Sequence, residues 1–295
     1  MPSLKQITTK IKSVRSTRRI MGAMKLIAAV RLQKAQAALM AYRPYSDAYR
    51  DVVLNVAALS ESEDHPLLRV PEEKTNLHIL FFTSDRGLCG SFNSALIRNM
   101  QSYIGEQREV FGNIKLSFVG RRGRDYFSRN GVATGKYYTG VSEKNSRKFS
   151  EELAVALTEE FRTEKSDEIV LAYNHFVSAI SQRMTFERLL PLSARGTDGD
   201  AAESSSDYIF EPEKERIIGS IFPKYVQVRI ERAMNESLTS EHAARMTAME
   251  NATSNADEVI AKLTLLFNKT RQAIITTELM DIVNGTEAQR KGGNE

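Results

Sequence analysis

The chain has 295 residues, of which 41% are hydrophobic and 26% charged, with a formal net charge of +4. These values are typical of a folded protein with room for one large or two ordinary domains. No apolar run approaches the roughly 18 residues of a membrane-spanning helix, and we expect no secretory signal at the N-terminus. The single cysteine, Cys89, excludes an internal disulfide and a cysteine-built metal site, and we expect a reducing compartment.

Residues 1–60 carry apolar side chains at alternating spacings of three and four, the seam of a heptad repeat. We predict one long helix here that continues through Pro44 with a bend or a loosened turn. Its outer face is basic, with Asp47 and Asp51 as the only acidic residues. So narrow a stripe on so long a helix needs a partner helix. The seam residues are Leu4, Ile7, Ile11, Val14, Met21, Ala28, Leu32, Ala35, Leu39, Tyr42, Tyr49, Val53 and Val56.

The middle of the chain, residues 75–195, alternates buried-strand and helix patterns. Strands that alternate with helices are typical of a parallel sheet covered on both faces. We therefore predict a small, largely parallel, Rossmann-like α/β domain. Its predicted strands are 77–83, 114–119, 169–173 and 185–190, and its predicted helices are 90–104, a short basic helix after 119, and 146–164.

A polar, acidic linker at 196–211 is followed by a helical region at 212–286. Because Pro223 suits the first turn of a helix, we expect a short helix up to about 222 and a long one from about 224 to 284, ended by Gly285. The long helix repeats the spacing of three and four from Met249 to Ile274. The predicted fold class is α/β, with two long terminal helices that form an antiparallel coiled coil beside the small domain.

No catalytic, cofactor-binding or metal-binding site can be assembled from the sequence. The segment 84–90 (SDRGLCG) links a strand to a helix, where a glycine-rich loop can hold a phosphate, but it lacks the P-loop spacing, which favours a tight turn. His78 lies in a strand pattern without a nearby Asp or Asn, and Cys89 is interpreted as a small core residue. The basic segment 121–124 could touch nucleic acid, although a solvated helix start is favoured.

Polar residues in the helical seams are more informative. Arg18 and Lys25 would be awkward in a plain two-stranded coil, and they indicate a surface that faces a third partner. Arg271 to Glu278 place hydrogen-bonding groups on a helix that we expect to be enclosed. The alternative is that these residues occupy ordinary exposed e and g positions.

The chain resembles the gamma subunits of F-type ATP synthases over nearly its whole length. The resemblance rests on RIMGAMKLIAA (19–29), SDRGLCG (84–90), SEHAARMTAM (240–249) and NKTRQAIITTEL (268–279). It implies a non-catalytic central rotor shaft that needs no cofactor and binds no nucleic acid. The implied partners are a ring of three alpha and three beta subunits, the epsilon subunit and the membrane-embedded c-ring. The implied location is peripheral, at the cytoplasmic side of a bacterial inner membrane.

The resemblance also implies contact residues. Met24 and Lys25 should lie near an acidic loop of beta, and Tyr208 and Glu211 near epsilon and the c-ring. The upper contacts with the ring should be Arg271, Gln272, Thr276 and Glu278, with Arg245 on the same helix. Met21-Gly22 stands where relatives usually show Thr-Lys, and Gly22 costs about 1 kcal/mol relative to Ala in a helix interior. The cysteine-containing insert of chloroplast relatives is absent, so thiol switching is not expected.

Two other functions are compatible with parts of the sequence. The middle domain could be an enzyme or a nucleotide-binding module, in which case residues 75–195 alone would bind nucleotide. The basic first helix could belong to a coiled-coil adaptor for nucleic acid, whose binding would weaken steeply with salt. Neither alternative explains the stretch from Arg271 to Glu278.

Overall fold

The computed structural model describes residues 3–61, 65–132, 134–192, 211 and 213–292, with side chains up to residue 286. These residues form two compact units, a helical unit (1–27 with 248–295) and a sheet unit (28–247). The predicted fold class is confirmed. In chain order the elements are α1 (Leu4–Ala58), a 3-10 turn (Pro66–Leu68), β1 (Asn76–Phe82), α2 (Phe92–Gln107), β2 (Asn113–Val119), α3 (Arg121–Arg129), β3 (Thr134–Tyr138), α4 (Ser146–Arg162), β4 (Glu168–Phe176), β5 (Gln182–Leu190) and α5 (Lys214–Gly292).

In the helical unit, the first turns of α1 pair antiparallel with α5. Arg18 lies 2.5 Å from Asp257, and Lys25 lies 2.8 Å from Glu250. A step of seven residues towards the C-terminus of α1 therefore matches a step of seven residues towards the N-terminus of α5. Ile7 and Ala256 are buried in this pairing, as the spacing of three and four predicts.

The sheet unit is built on five strands in the order β3-β2-β1-β4-β5. The pairs β1–β2, β1–β4 and β2–β3 are parallel, and the pair β4–β5 is antiparallel. The four strands predicted from the sequence are all present. β3 was not predicted, because its sequence Thr-Gly-Lys-Tyr-Tyr has no apolar alternation and its side chains are largely exposed at the sheet edge.

Alternate residues of β1 enter two separate cores, one on each face of the sheet. Leu77, Ile79 and Phe81 pack with residues of α2 and α3. Leu80 and Phe82 pack on the other face with residues of α4, α1 and α5. The period-two pattern of a strand therefore accounts for a sheet that is buried on both sides.

Within the sheet unit, α1 and α5 also run antiparallel. The seam residues Leu32, Ala35, Leu39, Val53 and Val56 are all buried, as predicted. Tyrosine hydroxyls join the two helices, since Tyr42 donates to a Glu231 oxygen at 3.1 Å and Tyr49 donates to the Ile221 carbonyl at 3.2 Å. The helix continues through Pro44, so the prediction of one helix rather than two is confirmed.

The predicted break at Pro223 is wrong, because α5 is one helix from Lys214 to Gly292 with Pro223 inside it. A proline in a helix interior costs about 3 kcal/mol. The side chains of Ile218, Phe222 and Val226, four residues apart on one helix face, are at most 1% exposed. Their burial on both sides of the proline offsets its cost. The predicted end at Gly285 is also wrong, since Gly285 lies inside the helix.

The division into domains 1–60, 75–195, 196–211 and 212–286 stays a prediction. Most of the acidic linker, including Tyr208, lies outside the described residues. The two compact units cut across α1 and α5 rather than following those boundaries.

Ser46 lies at the centre of the α1 seam, fully buried, and its hydroxyl has no hydrogen-bond partner among the described residues. We expect Ser46→Ala to raise the free energy of unfolding by about 1 kcal/mol, because a methyl group loses no hydrogen bond with water on burial. The matched control is Ser150→Ala, which removes a buried bond of 2.7 Å to the Arg147 carbonyl and should lower stability by about 1 kcal/mol. Urea unfolding measures both, and destabilisation by Ser46→Ala would contradict the prediction.

Candidate functional site: the exposed contact surface

The last described part of α5, from Arg271 onwards, extends beyond the start of α1. Continuing the antiparallel register from Arg18–Asp257 by 14 residues places Leu4, the first residue of α1, opposite Arg271. All residues from 271 to 286 are exposed. We call residues 271–286 the overhang. Past Arg271, no described residue of α1 lies opposite the overhang, so most of its side chains are open to contact with another protein.

Large apolar side chains on the overhang face solvent. Ile275 is 53% exposed, Leu279 57% and Ile282 67%, with Ile274, Met280 and Val283 also exposed. Contiguous exposed apolar surface of this kind marks an interaction site in a soluble protein. A single helix with such side chains gains most of its stability from packing against a partner.

The predicted contact residues Arg271, Gln272, Thr276 and Glu278 all lie on the overhang and are exposed. The Thr276 hydroxyl donates to the Gln272 carbonyl of its own helix at 2.9 Å. Within the described ranges, no hydrogen bond or ion pair engages the side chains of Arg271, Gln272 or Glu278. By the same register, Arg271 lies opposite Leu4, at the start of α1, whereas Gln272 and Glu278 lie past the described residues of α1 that could pair with them. Their polar groups remain available to a partner.

Met24 and Lys25 lie in the helical unit, and both are half-buried. The Lys25 ammonium group is already paired with Glu250 at 2.8 Å, and Arg18 with Asp257 at 2.5 Å. Carboxylates of α5 therefore pair with both cations within the chain, and a third partner at this surface stays a prediction. A contact of Met24 and Lys25 with another subunit stays a prediction.

Arg245 belongs to the sheet unit, where its guanidinium group faces its own chain. It lies 2.8 Å from Glu241 and donates to the carbonyl oxygens of Arg86 and Gly87 at 3.2 and 3.3 Å. Burial raises the pKa of Glu241, and the charge of Arg245 opposes that shift. The side chain therefore anchors the 84–90 loop to α5. Any contact of Arg245 with another subunit stays a prediction.

The 84–90 loop uses its own polar groups to close a turn. The Ser84 amide donates to the Asn93 side chain at 3.1 Å, and Asp85 accepts from the amides of Arg121 and Gly140 at 3.0 and 2.7 Å. Cys89 is buried, which raises the pKa of its thiol. These bonds support the tight-turn interpretation over a phosphate-binding loop.

His78 sits in a cluster that the sequence did not reveal. Its Nε2 lies 2.8 Å from the Ser117 hydroxyl, and its Nδ1 lies 2.9 Å from Glu160. The order Ser-His-Glu is that of a hydrolytic triad, but Ser117 is only 3% exposed and His78 only 2%. A substrate could not reach the hydroxyl, so the cluster is structural. Its members come from β1, β2 and α4, and only the tertiary fold brings them together.

Glu160 also accepts hydrogen bonds from Lys115 and Ser166 at 3.0 and 2.7 Å. Burial alone would raise its pKa, but His78, Ser166 and Lys115 outweigh burial and lower it to about 2. The carboxylate thus holds the sheet against α4 as an anion.

Within the described ranges, no cluster of three or more His, Cys, Asp or Glu side chains is arranged to hold a metal ion. No described helix combines the length and the apolar character needed to cross a membrane. Glu211 is exposed, and the neighbouring Tyr208 lies outside the described residues.

Comparison with known proteins assigns the family. A family model described as ATP synthase matches residues 3–289. An ATP synthase gamma chain of Anaeromyxobacter sp. (strain K) is 42% identical over 291 residues, which cover 98% of this chain and 99% of the relative. One of Bdellovibrio bacteriovorus is 41% identical over 293 residues, with coverage of 98% and 99%. The chain belongs to the ATP synthase gamma chain family.

Solved structures agree with this family. The central stalk and c-ring structure of the Tetrahymena thermophila mitochondrial ATP synthase contains a chain that is 26% identical, with a TM-score of 0.58 and coverage of 79% of this chain and 99% of that one. A chain of the Euglena gracilis mitochondrial ATP synthase has a TM-score of 0.64, covers 99% and 96%, and at 19% identity supports the fold alone. As a member of the gamma chain family, the protein is a central rotor shaft and not a catalytic subunit.

Proposed function

We propose that this chain turns inside a ring of three alpha and three beta subunits and rests, together with epsilon, on the c-ring at the cytoplasmic side of a bacterial inner membrane. Family membership supports the rotor role, and the overhang supports the contact with the ring. Proton flow through the c-ring would turn the shaft, and the shaft would drive ATP synthesis at the beta subunits. ATP hydrolysis would drive the reverse rotation.

The overhang carries this proposal. It is a helix with exposed apolar residues on several sides, and among the described residues no side chain pairs with Arg271, Gln272 or Glu278. An apolar collar of ring residues would bury the isoleucines and leucines without fixing one orientation, because apolar contact has no preferred direction. The polar groups would supply the contacts that differ from one orientation to the next.

Differential contact is what allows rotation to control catalysis. A shaft that binds all beta conformations equally shifts none of them. The overhang is asymmetric, because its charged and amide groups occupy particular positions around the helix. Each orientation would therefore stabilise a different set of beta conformations. Met24 and Lys25 would contact an acidic loop of beta, and Arg245 would add a contact from the same helix as the overhang. Tyr208 and Glu211 would contact epsilon and the c-ring.

The experiment is reconstitution with purified alpha and beta subunits, followed by steady-state ATP hydrolysis. We expect one copy of the chain per ring and a higher turnover than without it. Arg271→Ala/Gln272→Ala should lower this stimulation roughly tenfold or less, since two exposed polar contacts together supply on the order of 1 kcal/mol.

The matched control is Glu159→Ala/Arg162→Ala, which removes an exposed ion pair of 3.0 Å on α4. This control should stimulate hydrolysis as the unmodified chain does. If the unmodified chain neither joins the ring nor changes turnover, the rotor proposal fails. Nucleotide binding by the chain alone would instead favour the enzyme alternative.

A further inference from the structure

A buried carboxylate in the sheet unit joins three elements at one point. Glu236 of α5 is fully buried and accepts hydrogen bonds from Arg43 of α1 at 2.9 Å (Nε) and 2.8 Å (Nη2). It also accepts the amide of Phe176, the last residue of β4, at 2.9 Å. Arg43 in turn donates to the Phe176 carbonyl at 2.7 Å, and His175 Nδ1 lies 3.4 Å from Glu236. We call Arg43, His175, Phe176 and Glu236 the first node.

A second buried carboxylate joins α5 to the middle of the antiparallel strand pair. Glu187 of β5 accepts from Arg229 of α5 at 2.6 Å and from the Tyr173 hydroxyl of β4 at 2.8 Å. Glu187 and Arg229 are 8% and 7% exposed. Burial alone would lower the pKa of Arg229, but Glu187 outweighs burial and raises it. We call Tyr173, Glu187 and Arg229 the second node.

The two nodes hold α5 against β4 and β5 at separate points. Arg229 and Glu236 are seven residues apart, which is about 10 Å along a helix. Apart from a hydrogen bond of 3.2 Å from the Ser240 hydroxyl to the Asn174 carbonyl, the remaining contact between α5 and this face of the sheet is largely apolar, with Val226 and Ile230 in the core. Apolar contact resists separation, but it is non-directional and opposes sliding or rotation only through the fit of side chains.

Charge-assisted hydrogen bonds have the directionality that apolar packing lacks. The Arg43–Glu236 pair is bidentate, and Arg229 binds Glu187 through its Nε. One such node would act as a pivot about which a helix can still turn. Two nodes on different strands, separated along the helix, remove that freedom. Buried ion pairs are weak contributors to net stability compared with apolar replacements, so stability alone does not explain two of them.

We propose that the two nodes together form the torque-bearing joint between the sheet and the α1–α5 helix pair. This inference rests on the proposed rotor function. It assigns Arg43, Glu187, Arg229 and Glu236 as positioning residues: they touch no substrate, but they keep the helix pair from turning relative to the sheet under load. Without the joint, ATP turnover should continue, but less of the rotation should pass between the α1–α5 helix pair and the sheet.

Two variants each remove the directional hydrogen bonds of one node while they preserve its packing. Arg43→Met/Glu236→Gln replaces the first ion pair with an apolar side chain and an amide, which can still accept the Phe176 N–H. Tyr173→Phe/Glu187→Leu/Arg229→Met replaces the second node with apolar groups of similar size. Exchanges of this kind often leave stability unchanged or raise it. The surface double variant Glu159→Ala/Arg162→Ala is the control.

Each chain is assembled into the complete complex in sealed vesicles, and ATP hydrolysis, ATP-driven proton pumping and thermal unfolding are measured. We expect each node variant to hydrolyse ATP at the normal rate and to pump fewer protons per ATP hydrolysed. The combined variant should lose more than either node variant, because the node that each of those retains still tethers α5 to the sheet at one point. The control should pump as the unmodified complex does.

An unchanged pumping ratio in the combined variant would overturn the joint, and so would a parallel loss of hydrolysis and pumping at a constant ratio. If the combined variant unfolds at a lower temperature than the unmodified complex, Arg43→Lys is the test variant, because lysine keeps the positive charge but cannot form two parallel hydrogen bonds to Glu236. A normal pumping ratio in Arg43→Lys, with normal unfolding, would then overturn the joint. If the unmodified chain does not assemble at all, the proposed function fails rather than the joint.

Discussion

Glu236→Ala is expected to lower the free energy of unfolding of the sheet unit by about 3–5 kcal/mol, the cost of leaving a buried ion pair without one partner. The Arg43 guanidinium and the Phe176 amide both lose a fully buried acceptor. Phe176 packs with Leu32 and Leu39 of α1 and Ala243 of α5. A shift of its backbone would therefore also weaken the packing between α1 and α5. Urea-induced unfolding, followed by circular dichroism, measures the change.

The control for this prediction is Glu159→Ala, which also removes a carboxylate that is paired with an arginine. Glu159 is exposed and its partner Arg162 is on the same helix. Exposed pairs of this kind contribute about 1 kcal/mol or less. Equal effects of the two substitutions would contradict the role of Glu236.

The same carboxylates predict how stability changes with pH. Burial would raise the pKa of Glu236, but His175, Arg43 and the Phe176 amide outweigh burial and lower it from an ordinary 4.5 to about 2. A carboxyl group with a lower pKa in the folded state stabilises the fold fully above its unfolded pKa. This contribution is lost as pH falls from about 4.5 to 2, and Glu160 adds a second loss over the same range. Glu160→Gln should therefore flatten the acid limb of a stability–pH curve.

Gly120→Ala is expected to destabilise the chain by at least about 3 kcal/mol, because a steric clash adds to backbone strain. Gly120 lies between β2 and α3 with φ at 104°, in the region that favours glycine. An added Cβ would lie 2.0 Å from the Thr83 carbonyl oxygen. Thr83 is held in place on both sides. Its amide donates to the Val119 carbonyl at 2.7 Å, and its hydroxyl accepts a hydrogen bond from the Gly123 amide at 3.0 Å.

Gly105→Ala is the matched control, since Gly105 is an exposed glycine of α2 with nothing within 4 Å of an added Cβ. Alanine there should stabilise the helix by up to about 1 kcal/mol. The two Gly→Ala substitutions are thus expected to have opposite signs in the same urea titration. A tolerated Gly120→Ala would show that the β2–α3 connection can rearrange.

Periodicity was enough to predict most of the fold. The spacing of three and four in residues 4–56 predicts α1 and its buried face, and the short apolar runs predict four of the five strands. β3 was missed because Thr134, Gly135 and Lys136 do not alternate in polarity. The continuity of α5 through Pro223 could not be predicted, because the burial of Ile218 and Phe222 on one side and Val226 on the other depends on the tertiary fold.

The polar contacts inside the molecule were hidden for the same reason. Glu236 meets Arg43 across 193 residues of sequence, and His78 meets Ser117 across 39. No spacing rule connects residues so far apart. Arg271, Gln272, Thr276 and Glu278 could be named because the chain resembles a known family there. Their exposure follows from the α1–α5 register, which the sequence alone did not provide.

Rotation of a single complex tests the rotor assignment most directly. Val155→Cys on α4 places a thiol at a side chain that is 68% exposed, whereas Cys89 is 2% exposed and should not react. A bead attached at residue 155, with the alpha and beta subunits fixed to a surface, reports the motion of the chain when ATP is added. If the chain is the rotor shaft, the bead should rotate continuously in one direction and stop when ATP is removed. A bead that stays still while the same assembly hydrolyses ATP would contradict the rotor assignment.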